Sequence, residues 1–123
     1  MTLQELYTEI GGNYEHAQQI MKMDKMISKY LQKLTSSDVC ENLRNAAENL
    51  DPSAMFESAH AMKGVCANLG LDDLAEAVGI VTEEFRPGAS RSMSDDEVRA
   101  KLSEIYGMYE KTIEGIKNYS ETI

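Results

Sequence analysis

The sequence predicts an all-α fold, an antiparallel up-down four-helix bundle with additional short helices. Apolar residues recur at helical spacing almost throughout the 123 residues, so most segments have one face to bury. Four of these segments are long, and the links between them are short and polar. That arrangement lets neighbouring helices return antiparallel. Composition agrees: Trp is absent, only 2 residues are Pro, and Leu, Ile, Met, Ala, Glu and Lys recur, a mixture that favours helices over sheets. The length fits one domain, expected to span residues 1–123.

Thr2 and Glu5 form a capping box for a first short helix to Ile10, which Gly11 and Gly12 stop. A second helix is expected from Asn13 to Leu34, with Ala17, Ile20, Met21, Ile27, Leu31 and Leu34 as one stripe. Thr35 to Asp38 interrupt the period and supply N-cap candidates for a third helix carrying Val39, Leu43, Ala46 and Leu50. Asp51-Pro52 opens the fourth: Asp51 caps free N–H groups, and Pro52 fits the first turn, where its missing N–H costs nothing. Met55, Ala59, Met62, Cys66 and Leu69 give this helix a continuous seam, ended at Gly70. Leu71, Leu74, Val78, Val81 and Phe85 line a fifth, and Arg86 to Ser92 has breaker composition. Ser94 and Glu97 form a second capping box for a last helix with Val98, Leu102, Ile105, Tyr109, Ile113 and Ile116. The bundle is expected to use the second, fourth, fifth and sixth helices, or the third in place of one of these.

The formal net charge is −9, and no Lys or Arg cluster is present, which argues against nucleic acid as a partner. The N-terminus lacks the basic and apolar regions of a signal peptide. No apolar run approaches the roughly 20 residues that span a bilayer, so no membrane partner and a cytoplasmic location are expected. Cys40 and Cys66 occupy apolar helix positions and read as free, buried thiols, without the spacing of a zinc site. Walker, GxGxxG, GxSxG and HExxH patterns are absent, which argues against nucleotide-hydrolysing, dinucleotide-binding, hydrolase and zincin chemistry.

His60 lies one residue off the seam of the fourth helix, about 100° around its axis, and should reach the surface beside the core. Its face neighbours are Phe56 and Glu57 one turn before, Lys63 and Gly64 one turn after, then Ala67 and Asn68. A neutral imidazole is a good nucleophile near neutral pH, since free histidine titrates at about 6.5. A phosphoryl group placed on it concentrates negative charge, which the Lys63 ammonium can offset. Gly64 costs about 1 kcal/mol of helix propensity relative to Ala. Close approach of a partner is one reason to keep it, and close helix packing is another. Ala67 keeps the next turn low. Periodicity by itself favours an inert surface histidine.

His60-x-x-Lys63-Gly64 followed by Leu69-Gly70 resembles the signature of histidine-phosphotransfer (HPt) domains of multistep phosphorelays. Phe56, Leu74, the helical layout and the size fit that family over essentially the whole chain. The resemblance implies that His60 accepts a phosphoryl group from a receiver-domain aspartate and passes it to another response-regulator aspartate. It implies that Lys63 assists electrostatically, and that Gly64, Phe56 and Ala67 form the receiver docking surface. It also implies no kinase or nucleotide site, hence no enzyme in its own right, and no cofactor here; magnesium is expected on the partner receiver only. The implied partners are receiver domains of response regulators and hybrid sensor histidine kinases, and the expected state is a monomer. Two other functions remain: a receiver-docking or adaptor bundle without phosphotransfer, and the phosphorylated domain of a chemotaxis kinase detached from its catalytic parts.

The remaining residues read more plainly. His16 is expected to be exposed or to pack, with no neighbours suited to a metal. Asn68 reads as a helix-end residue. The methionines read mostly as core filler, with Met23 and Met26 off the stripe. Tyr106, Tyr109 and Tyr119 are expected at the core and its rim with wet hydroxyls.

Overall fold

The computed structural model describes residues 1–123 as seven helices: α1 Leu3–Ile10, α2 Tyr14–Met21, α3 Asp24–Leu34, α4 Val39–Ala47, α5 Pro52–Asn68, α6 Asp72–Glu84 and α7 Asp95–Ser120. Local chemistry sets most boundaries. Thr2 and Glu5 form a reciprocal capping box, and Gly11 closes α1 at φ 72°. Asp51 accepts the Ala54 N–H at 3.0 Å, with Pro52 at the head of α5. Ser94 and Glu97 repeat the capping box at the start of α7.

The helix expected from Asn13 to Leu34 is two helices. α2 ends at Met21, Lys22 adopts φ 71°, and Met23 is extended before α3 begins. Side chains hold the break: the Tyr14 hydroxyl donates to Asp24 at 2.6 Å, and Gln18 donates to both. Ile20, expected in the buried stripe, is 41% exposed as a result, and Met23 is 58% exposed. Leu50 also falls outside its expected helix. It sits at φ 51° in the turn before Asp51 and is buried there.

α4, α5, α6 and α7 form the closed bundle, each packing on the next and α4 returning against α7. The third predicted helix thus takes the place of the second. Links over residues 48–51 and 69–71 are short enough to require antiparallel return. α1 and α3 pack on α7, while α2 bridges α3 and α5. A single core of 30 buried residues runs from Leu3 to Tyr119. Met55, Ala59, Met62 and Cys66 of α5 are fully buried in it. A large apolar side chain so buried contributes about 1.5–3 kcal/mol, which fixes the rotation of α5 about its axis.

The Leu69-Gly70 turn does more than end α5. Gly70 adopts φ 68°, and its carbonyl accepts the Asn13 N–H at 2.7 Å. A Cβ there would lie 2.6 Å from the Asn13 carbonyl oxygen and 2.9 Å from the Ala17 nitrogen. Tyr7 donates its hydroxyl to the Leu69 carbonyl at 2.6 Å. The α1–α2 corner is therefore fastened to the end of α5. Tyr109 and Tyr119, expected with wet hydroxyls, also find partners within the chain. The Tyr109 hydroxyl donates to the Leu34 carbonyl and the Tyr119 hydroxyl to Ser28, each at 3.3 Å.

Candidate functional site

With the α5 seam buried, the residue one step around from it is presented to solvent. His60 is exposed, and its ring stacks on Phe56 one turn earlier, with centroids 5.3 Å apart and planes 17° apart. Phe56 is half-buried, so it gives the imidazole a fixed surface to lie against. The Arg86 guanidinium carbon lies 5.2 Å from the centroid of the same Phe56 ring, an arrangement suited to cation–π attraction. Arg86 is itself held by Glu83, whose Oε2 accepts from Nη2 at 2.6 Å and from Nε at 2.8 Å.

Lys63, half-buried, runs across α6. Its Cε lies 3.4 Å, and its Nζ 3.7 Å, from where a Cβ on Gly79 would stand. Gly79 is buried, so the side chain missing from it is the shelf on which the Lys63 stem rests. Gly64 is different. It is exposed, and an added Cβ would meet nothing within 4 Å. No packing contact within the chain calls for a glycine there. Ala67, on the next turn, is half-buried. Asn68 ends α5 and is exposed, lining an open apolar groove with Ile20, Met21, Tyr30, Val65 and Leu69. This groove runs from α5 at Val65 and Asn68 onto α2 and α3.

The charges around the histidine are mixed. The Glu83 carboxyl is held below its ordinary range, first by the hydrogen bond from Arg86 and further by the charges of Arg86, Lys63 and His60. Glu84, the next residue, faces inward and takes no part; it binds Arg91, Ser92 and Met93. No set of three or more His, Cys, Asp or Glu side chains is placed to hold a metal ion. No helix is long and apolar enough to cross a membrane.

A family model described as the Hpt domain matches residues 25–111, from the first turn of α3 well into α7. The chain belongs to the Hpt-domain family. No curated protein and no solved structure matches it. Hpt domains are histidine-phosphotransfer intermediates of phosphorelays and interact with receiver domains of response regulators.

Of the residues that sequence reasoning singles out in this Hpt domain, His60, Lys63, Gly64 and Phe56 come together on one side of α5. Sequence reasoning passes over Gly79, Glu83 and Arg86, which complete the surroundings from α6 and its end. Gly79 carried the one available signal, a glycine inside a helical stripe. Glu83 and Arg86 carried none. Their spacing reads as an ordinary i, i+3 ion pair. His16, expected to be exposed or packed, has a definite partner: its Nδ1 lies 2.8 Å from the Asp72 Oδ1 and ties α2 to the start of α6.

Proposed function

We propose that this Hpt domain is a relay intermediate in which His60 accepts a phosphoryl group from one receiver aspartate and delivers it to another. The observation that carries the proposal is an exposed imidazole, braced by Phe56 and flanked by the bare surface at Gly64. A ring nitrogen of His60 attacks the phosphorus of the aspartyl phosphate. The P–O bond to the aspartate breaks and its electron pair leaves with the carboxylate, while an N–P bond forms and a ring proton passes to solvent. Delivery to the second receiver reverses these bonds. Such a transition state is loose, and its demands are positioning and charge stabilisation. The bracing of His60 supports the first, and the Lys63 ammonium supports the second.

The energy is already stored in the acyl phosphate, so this reading gives the chain no nucleotide and no cofactor; magnesium belongs to the partner receiver. Receiver docking is assigned to Gly64 with Phe56 and Ala67 beside it, continued by the apolar groove through Ile20, Tyr30 and Val65. The test is incubation with receiver domains carrying radiolabelled phosphate. Transfer to this protein should give acid-labile, base-stable label, and His60→Gln should fold normally and take up none. Label on the His60→Gln variant overturns the assignment. Receiver binding without any label transfer points instead to an adaptor.

A further inference from the structure

We infer that Glu83 sets how readily phosphorylated His60 releases its phosphoryl group, with Arg86 as its counterweight. This rests on the reading of His60 as the acceptor. The geometry separates two adjacent acids. Glu84 is buried and spent on the loop after α6, whereas the Glu83 side chain is 60% exposed, pairs with Arg86 and lines a groove with Lys63. Arg86 is drawn to Glu83 through two nitrogens on one oxygen, and its guanidinium is thereby parked against Phe56, the ring that braces His60. Lys63, on α5 like His60, runs over Gly79 of α6. Arg86 thus lies against the ring that His60 stacks on, and Glu83 shares a groove with Lys63 and Glu76, while Glu57 sits on the helix of His60 itself. Glu83 senses the site as it stands, since the charges of Lys63 and His60 help hold its carboxyl low.

A phosphoryl group on His60 adds negative charge that Lys63 and Arg86 attract and Glu83 repels. When the P–N bond breaks, its electron pair stays on the ring, and the protonated imidazole is the better leaving group. The phosphoryl group passes to an oxygen, either of water or of an aspartate. The repulsion from Glu83 loosens that bond. Arg86 opposes it, so Glu83 and Arg86 are positioning residues of opposite sign acting on one step.

Phosphoramidate tests this without a partner. Its P–N bond breaks, ammonia leaves with the proton from the ring, and the phosphoryl group moves to His60. Phosphorus NMR then follows hydrolysis of the phosphohistidine in the native protein, Glu83→Gln, Arg86→Gln and the double variant. At low salt, Glu83→Gln should lengthen the half-life about threefold and Arg86→Gln should shorten it about threefold, as for charges near a protein surface. The double variant should fall between them. At about 1 M salt the differences should collapse, because the screening length is then about 3 Å; a merely structural role would not respond in this way. Half-lives unchanged in both single variants, shifted in the same direction, or insensitive to salt overturn the inference while leaving His60 as acceptor. A native protein that takes phosphate at His60 from neither phosphoramidate nor a phosphorylated receiver overturns both.

Discussion

Gly64 is kept against the stability of its own helix, and this can be measured with two substitutions. It lies inside α5, where glycine is disfavoured by about 1 kcal/mol relative to alanine. An added Cβ meets nothing within 4 Å, so no clash offsets the gain. Gly64→Ala should therefore stabilise the fold by about 1 kcal/mol, raising the thermal midpoint of a domain this size by about 4 °C. Gly64→Gln should gain somewhat less, since glutamine is also a good helix former, while its side chain covers the surface beside His60. Misplacing reacting groups by about 1 Å costs up to about a hundredfold, and a drop of at least about tenfold in transfer rate is expected. Urea melts measure the first effect, and rapid-quench transfer from a phosphorylated receiver measures the second. A less stable Gly64→Ala would show that this face of α5 is not open. A Gly64→Gln protein relaying at the native rate would show that no receiver approaches over it.

Gly70→Ala should destabilise the protein by about 2 kcal/mol or more in urea melts, because φ is 68° and a Cβ would press on the backbone of Asn13 and Ala17. Burial acts to raise the Glu84 carboxyl, but hydrogen bonds from Arg91, Met93 and Ser92 outweigh it and hold the pKa at about 2, below the ordinary 4.5. The stability it supplies is complete above about 4.5 and lost as pH falls toward 2, so Glu84→Gln should flatten that acid limb of a stability-against-pH curve. Burial pushes the Cys66 thiol up to about 12 and raises Cys40 as well. Iodoacetamide at neutral pH should therefore alkylate neither until the protein unfolds, and fast alkylation of the native protein would contradict the packing of α4 on α5. Ile20→Asp should weaken receiver binding about tenfold, the scale of an apolar anchor at an interface. Unchanged affinity in a titration would remove the groove from the docking surface.

Local rules made much of this molecule legible. The two capping boxes, the Asp51-Pro52 start and the glycine stops are written within a few residues of where they act, and each is found in place. The seam of α5 was legible because four apolar side chains repeat on one face, and that seam put His60 outside. The break after Met21 was not, because a lysine in a left-handed conformation, stabilised by Tyr14, Gln18 and Asp24, leaves no Gly or Pro to mark it. Which helices close the bundle was not legible either, since amphipathic stripes say that a face is buried and not against what. The same limit divided the site. His60, Lys63 and Gly64 share one turn of one helix and can be read together. Gly79, Glu83 and Arg86 reach them only through the packing of α6 on α5.

That division bears on any attempt to move the relay chemistry to another scaffold. A transplant of residues 52–68 alone would import the imidazole and the ammonium but leave behind the shelf at Gly79 and the cation leaning on Phe56. The smallest portable unit is the helical hairpin from Pro52 through Arg86, and its tight corner at Gly70 needs a host backbone ready to clasp it as Asn13 does here.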